Sequence, residues 1–530
     1  MTVFLVVLAV IVVLVAIANR LRIAYPILLL LGGIVIGYIP GAPAIAMPPD
    51  LVLVVFLPPL LYWESVTAPE SEFRTGAWWI FQLAFGLVII TTIAVAVVAH
   101  ALVPAMGWAV AFVLGAIVSS TDEVAFAPIA ERLRVPRHVI ATIEGESLVN
   151  DATSLILYAA AVAAVVTGTF SFSHAVGGLI TSIVGAIAIG VFAGSAAVLA
   201  WRFVKDAMLQ VVISLAVPYL SYLPAQHFGV SGVLAVVTTG LFVNRFTPTV
   251  LVPAARERAT GFWVTIVFVT NAIIFVLVGV QLHSIIAGLR GYSPLALVGY
   301  GVAISLTVIV VRFLWVFAQG LLPVTNEPEH VEGKADWSHV GVLAWAGFRG
   351  GVSLAAALAI PFETSLGPFP QRDLVIFLTF CVLVATLIGQ GGTLPLLIRW
   401  LRITDDGAGA AEERIALART SQAALDRIEQ LERDGTVAPS LAAYLRKRFQ
   451  IRQREFDPVE DDAAKAAARA TAHYRALESG LIGAQRAALI ELRDQGKIDN
   501  TVLRRIQRLL DLESEELDLL DSAGHAEVEE

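Results

Sequence analysis

The sequence predicts an all-α, polytopic membrane protein followed by a soluble α-helical tail. Three observations carry that prediction. Of 530 residues, 57% are hydrophobic and 15% charged, with a mean hydropathy of +0.78, far from the balance of a soluble domain. Apolar runs of about 20 residues, enough to cross a bilayer at about 1.5 Å per residue, recur from residue 2 to about residue 398. Beyond about residue 403 they give way to sequence rich in Arg, Glu, Asp and Ala.

Counting the runs between breaks predicts about thirteen spans. They lie near 2–18, 25–39, 50–66, 77–103, 107–128, 139–166, 174–202, 207–223, 228–244, 261–285, 293–320, 337–361 and 371–398. The first run has no basic residue before it and no small-residue cleavage site followed by a polar mature chain, so it reads as a spanning helix and not as a signal peptide.

Basic residues collect in cytoplasmic loops. With the N-terminus outside, the inside loops carry Arg20 and Arg22; Arg74; Arg132, Arg134 and Arg137; Arg202 and Lys205; Arg245, Arg256 and Arg258; Lys334; and Arg399 and Arg402. The outside loops hold Arg290 and Arg372. This alternation predicts an outside N-terminus, a cytoplasmic C-terminus and an odd number of crossings.

With an odd count, a helix and its counterpart seven spans later enter from opposite sides, which is the topology of an inverted repeat. The fifth and twelfth spans stand in such positions, and both are interrupted: "SSTDEVAFAP" at 119–128 and "WAGFRGGVSLA" at 345–355. Paired interruptions point to a binding site near the midplane. Small residues that merely permit close packing would explain the glycines, but not Asp122 or Arg349.

The chain divides into a membrane domain, 1–402, and a cytoplasmic tail, 403–530. In the tail Leu503, Ile506, Leu510 and Leu517 follow helical spacing, which predicts amphipathic helices. The acidic end is expected to be disordered from about Ser522. Cys381 is the only cysteine, so no intramolecular disulfide or cysteine-based metal cluster can form. A formal charge of −8 argues against nucleic acid as a partner; the surroundings of the spans are membrane lipid.

The acids inside the spans carry the functional signal. An Asp at the centre of a membrane helix costs about 2.5–3.5 kcal/mol, so several must face protein or water. In the sixth span Ser147 and Asp151 stack on one face, while Glu146 and Asn150 form a second stripe about 100° away. Arg312 and Arg349 lie well inside spans and offer counter-charges. Glu146 is assigned to an ion pair with one of them, foremost Arg349. Asp151, Ser147, Asp122 and Thr121 then form an oxygen-rich set with no permanent cation, as a hard monovalent cation or a proton requires.

Glu64 either joins that set or is an interfacial glutamate near the end of the third span. Glu123 and Glu144 suit a water-filled funnel that concentrates cations. His100, His174, His227 and His339 fall near span ends with no ligand spacing between them, and read as interfacial.

At this point the chain resembles a known family. "STDEVAFAPI", "EGESLVNDATSLILY", "VSGVLAVVTTGL", "AIIFVLVGVQL", "AWAGFRGGVSLAAALAIP" and "VIFLTFCVLVATLIGQGGTLPLLI" are similar, in order and spacing, to sodium/proton antiporters of the bacterial NhaP and animal NHE kind. The resemblance implies thirteen helices, a dimerisation domain, a moving core domain, a homodimer, and discontinuous fifth and twelfth helices that cross near the ion site. It implies Asp151 as the cation and proton carrier with Asn150 as its partner. Asp122 and Thr121 would sit at the helix break, and Ser147 and Glu64 would complete the coordination. It also implies an ion pair between Glu146 and Arg349. There are departures: Glu123 stands where a proline or small residue is common, Gln226 where glutamate is common, and Val264 where an acid is often found.

The expected activity is secondary active exchange of Na+ or Li+ for H+ across the cell membrane, serving intracellular pH and sodium homeostasis. No enzymatic activity and no cofactor are expected. Cation and proton would compete for Asp151. Because Asn150 is not titratable, the resemblance implies electroneutral exchange. A K+/H+ antiporter is the runner-up. Two broken helices, in place of a ring of identical motifs, speak against a cation channel. An intramembrane aspartyl hydrolase built on Asp122 and Asp151 is opposed by the nearby arginines. The tail could be a partner-binding module that controls the carrier.

Overall fold

The computed structural model describes the chain except residues 1, 22–24, 40–47, 69–76, 124–125, 127–128, 131–132, 134, 169–171, 290, 322–329, 332–333, 336, 366, 404–406, 456–476, 493–494, 496, 498–499 and 525–530. Arg22, Arg74, Arg132, Arg134 and Arg290, part of the orientation argument, lie outside the described residues, as does most of 124–128. The chain forms two compact units, Met1–Ile403 and Thr404–Glu530.

The first unit is helical. In chain order it contains α1 (Thr2–Leu21), α2 (Tyr25–Gly37), α3 (Pro49–Val55), α4 (Leu57–Thr67) and α5, which joins Ala77–Phe81, a π-helical turn Gln82–Leu87 and Val88–Leu102. Then come α6 (Trp108–Ser119), α7 (Arg137–Thr167), α8 (Phe172–Phe203), α9 (Ala207–His227), α10 (Gly232–Val250), α11 (Pro253–Gly288) and α12 (Pro294–Gly320). After these follow α13 (Trp337–Trp345), α14 (Gly351–Leu358) and α15, made of Arg372–Val384, a π-helical turn Ala385–Gln390 and Gly391–Leu401. Among the described residues eight stretches are long and apolar enough to cross a membrane, and four shorter apolar helices accompany them. Two-residue hairpins at His330–Val331 with Lys334–Ala335, and at Glu363–Thr364 with Gly367–Pro368, are the only paired strands among the described residues.

Two prolines sit where a helix tolerates them best. Pro58 lies in the first turn of α4 and Pro253 opens α11, where a missing N–H breaks no internal bond. Small residues set the closest approach: a side chain on Gly33 of α2 would run into the backbone of Val276 and Gly279 in α11. Only hydrogen-sized side chains let these two backbones touch. Large apolar groups such as Phe192, Leu295 and Leu314 point outward, as a lipid-facing surface requires.

Helix ends differ from span ends in several places, among them α10, which runs to Val250 and so takes in Arg245. α11 begins at Pro253, not near residue 261, so Arg256 and Arg258, expected in a loop, lie in its first turns. Arg256 Nη1 donates to the carbonyls of Pro248 (2.9 Å) and Leu251 (3.1 Å), closing the end of α10. Hydropathy locates the apolar slab, whereas arginine is a good helix former outside it. The eighth span is likewise longer than expected, because α9 continues to His227 through Pro218 and Pro224.

The second unit contains α16 (Ala408–Arg433), α17 (Pro439–Glu455), α18 (477–492) and α19 (Asn500–Gly524). Ile482 and Leu489 of α18 pack with Leu503, Leu510 and Leu517 of α19. Ile506, expected on that apolar face, is 36% exposed: the seven-residue spacing of the other three defines the buried stripe and leaves it to one side. α19 runs on to Gly524, so 522–524 are helical where disorder was expected; 525–530 lie outside the described residues.

Candidate functional site

Two interrupted helices meet at the centre of the first unit. α6 stops at Ser119, Ser120 leaves it in extended conformation, and residues 121–122 are not helical. On the other side, residues 346–350 separate α13 from α14. The two breaks are joined by a backbone bond from Asp122 N to Phe348 O (2.9 Å).

Each break supplies the charge that the other requires. Asp122 Oδ2 accepts from Gly351 N (2.8 Å) at the start of α14, where a helix has unsatisfied N–H groups and favours an anion. Arg349 Nη1 donates to Ser120 O (3.0 Å), the carbonyl just past the end of α6, where a cation is favoured. Glycines make the exchange possible. A side chain on Gly350 would overlap the Asp122 carboxylate, and one on Gly347 would strike the Arg312 stem. α6 therefore ends without a proline, and Glu123 does not restore the helix.

On α7, Glu146 is 1% exposed and is gripped by Arg312, itself 1% exposed. The grip is bidentate: Nη1 to Oε1 at 2.5 Å and Nη2 to Oε2 at 2.8 Å. Arg312 also donates from Nε and Nη2 to Leu343 O. This corrects the expected partner, because Glu146 pairs with Arg312 and not with Arg349. The reason is geometric: Arg349 is turned toward Ser120 O, and its Nε makes no hydrogen bond.

Thr121 is drawn into the same network. Its hydroxyl donates to Glu146 Oε1 (3.1 Å) and accepts from Asn150 Nδ2. A carboxylate only accepts, so the single Thr121 proton goes to Glu146 and the amide must present its N–H side to Thr121. Asn150 Oδ1 is thereby aimed the other way, buried and without a hydrogen-bond partner. The Glu146–Asn150 stripe is thus one directed chain. Thr121, expected beside Asp151, serves it instead.

Asp151, 2% exposed, accepts a hydrogen bond from Ser120 Oγ. Asp122 and Arg349 both act on it electrostatically, while Arg349 Nη1 is spent on the Ser120 carbonyl. Ser147, one turn before it, donates to Thr121 O (3.1 Å). Glu64 is in electrostatic reach of Asp151, Glu123 and Asp122, and its Oε2 is buried without a hydrogen-bond partner. Glu123 in turn feels Glu144 most strongly among its acidic neighbours. Among the described residues no cluster of three or more His, Cys, Asp or Glu is arranged to hold a metal ion.

Several residues here escaped sequence reading. Ser120 and Ser353 converge on Asp151 and the Ser120 carbonyl. Thr386, in the π-helical turn of α15, accepts from Arg349 N (3.2 Å). Asn271 of α11 presses its side-chain oxygen against Gly351. Serine, threonine and asparagine are ordinary in membrane helices, so only the position of Ser120 next to Thr121 and Asp122 could have marked it.

Further along α7 a cleft of about 630 Å³ is lined by Tyr158, Val162, Gln226, Phe362 and Glu363. Tyr158 also closes a narrow void lined by Ser120, Ser154 and Ser353. It therefore borders both the cleft and the void that Ser120, the donor to Asp151, also lines. Gln226 Nε2 donates to Tyr222 Oη (3.0 Å), and Val264 is exposed, away from the crossing.

The transmembrane sodium/hydrogen exchanger family matches residues 6–400. The chain is 38% identical, over 95% of its length and 93% of the relative's, to an uncharacterized Na(+)/H(+) exchanger of Mycobacterium tuberculosis. It is 32% identical to a sodium, potassium, lithium and rubidium/H(+) antiporter of Bacillus subtilis, over 75% of this chain and 62% of that one. In fold it is similar to the sodium proton antiporter MjNhaP1 of Methanocaldococcus jannaschii. That match has a TM-score of 0.59 and 20% identity, covering 75% of this chain and 97% of the other.

Proposed function

Because the chain belongs to the sodium/hydrogen exchanger family, and is a multi-pass transporter and not an enzyme, we propose that it exchanges Na+ or Li+ for H+ through competition at Asp151. The observation that carries this reading is the set of buried oxygens left without partners. Asn150 Oδ1 and Glu64 Oε2 have none, and Asp151 receives a neutral hydroxyl directly. Buried acceptors without donors are costly. A cation that has shed its water satisfies them, and so does a proton on a carboxylate.

The roles divide accordingly. Asp151 carries either the proton or the cation. Asn150 Oδ1, held in place by Thr121, and Ser147 contribute neutral oxygens; Glu64 and Asp122 add negative charge. A hard cation favours such oxygen ligands. Cation and proton exclude each other because both need the same carboxylate. An empty, ionised site would carry its charge through a low-dielectric barrier, which opposes uncoupled return. Asn150 does not titrate, so one cation is exchanged for one proton and transport is electroneutral.

The topology we propose has thirteen crossings in an inverted repeat, an outside N-terminus and a cytoplasmic tail beginning near residue 403, assembled as a homodimer in the cell membrane. Glu123 and Glu144 then face the cytoplasmic approach, and the cleft beyond Tyr158 faces outside. The physiological role is control of internal pH and sodium. K+ as the cation is the second reading, favoured by the relative whose name includes potassium.

Purified protein in sealed liposomes holding a pH-sensitive dye, challenged with Na+, Li+ or K+ across a proton gradient, tests the proposal. Dequenching by Na+ is expected. A response to K+ alone moves the protein to the second reading, and no response to any cation from folded protein overturns both.

A further inference from the structure

His138 lies in the first turn of α7 and His339 in the first turn of α13. They are 201 positions apart in sequence, yet His138 Nε2 and His339 Nδ1 stand 3.1 Å from each other. The rings meet edge to face, with centroids 4.7 Å apart and planes at 66°, and both residues are half-buried. Asp151 lies thirteen positions after His138 in α7, about 20 Å along the helix. Cation exchange at Asp151 leaves this pair without a task.

We infer that His138 and His339 form a docking site for a divalent transition-metal ion of the zinc class. Neutral imidazole nitrogen binds such ions at about 2.0–2.1 Å. Two nitrogens 3.1 Å apart and each about 2.05 Å from one ion subtend about 98° there, between the octahedral and tetrahedral angles. One ring now donates its N–H to the lone pair of the other. For both lone pairs to reach a metal, the donor ring moves its proton to its other nitrogen and each ring turns slightly. Between neutral imidazoles no net proton is gained or lost.

Such an ion would cross-link the start of α7, which carries Glu146 and Asp151, to the start of α13, which leads into the break holding Arg349. Any rearrangement that separates those ends would first have to release the metal. The ion is therefore expected to stabilise the fold and to slow exchange.

The test uses full-length, tag-free protein and Zn2+ or Ni2+ as the probe. Thermal unfolding and isothermal titration read binding, and the liposome assay reads exchange. Metal should raise the melting temperature and reduce the exchange rate, with binding weakened at least about tenfold in both His138→Gln and His339→Ala. A metal response unchanged in both variants, or no metal-dependent shift in the unmodified protein, overturns the inference and leaves a simple imidazole hydrogen bond. Because binding is read apart from transport, this failure is distinguishable from failure of the exchange reading.

Discussion

Glu146 and Asp151 stand five residues apart on one helix, both almost wholly buried, and their surroundings are opposite. Glu146 is saturated: a bidentate arginine takes both oxygens and a threonine hydroxyl adds a third bond. Asp151 directly accepts from a serine hydroxyl, and unpartnered oxygens lie on neighbouring groups. The difference separates two uses of a buried charge. A saturated acid has nothing left to offer a solute and holds helices together. An under-coordinated one is an unfinished site that a cation or a proton completes.

Substitution can break or sharpen that contrast. Asp151→Asn is expected to have the largest functional effect, complete loss of cation-dependent proton flux in liposomes with little change in melting temperature. Persistent exchange would remove Asp151 as the carrier. Glu146→Gln should do the reverse of a clean functional loss: orphaning Arg312 in the core is expected to reduce stability by about 3–5 kcal/mol, read as a fall in melting temperature and yield. Replacing the pair together, Glu146→Met with Arg312→Leu, should recover much of that stability. Exchange should nonetheless stay impaired, because nothing then directs Thr121 and Asn150. Full recovery of transport in the double variant would show that the directed chain has no part in the site.

Smaller effects are expected farther from the two acids. Gly350→Ala should push Asp122 off the start of α14 and cost about 1 kcal/mol, the usual worth of a lost N-terminal cap, measurable in thermal unfolding. An unchanged melting temperature would mean that the Asp122 carboxylate relocates freely. Removing the chain after Thr404 should be mildest, altering the pH profile of exchange while retaining it. Complete loss in a folded protein would make the tail part of the transport unit.

Much of this organisation was legible in the sequence. The helical membrane class follows from hydropathy alone, since apolar runs of spanning length have few other solutions. The break in the twelfth span, and the end of α6 in the fifth, were marked by polar and glycine-rich interruptions. Glu146, Asn150, Ser147 and Asp151 could be sorted into two faces because helical periodicity determines which neighbours share a side. The partners of those residues were not legible in the same way. Arg349 was the foremost candidate cation for Glu146 and Arg312 the other, and the sequence contains no measure of which one the crossing would bring near. Ser120 carried no signal beyond its place beside Thr121 and Asp122, and the meeting of His138 with His339 depends on two helix starts 201 residues apart.

The sequence by itself determined the class, the breaks and the set of candidate acids, because these depend on local composition and on a repeat within a single helix. Only the tertiary structure decided that Arg312 takes Glu146, that Arg349 closes α6, and that Thr121 turns the Asn150 oxygen outward. Those outcomes rest on ångström-scale distances between separate helices. An ion pair or a hydrogen bond weakens steeply over that range, while periodicity along one helix contains no information about it.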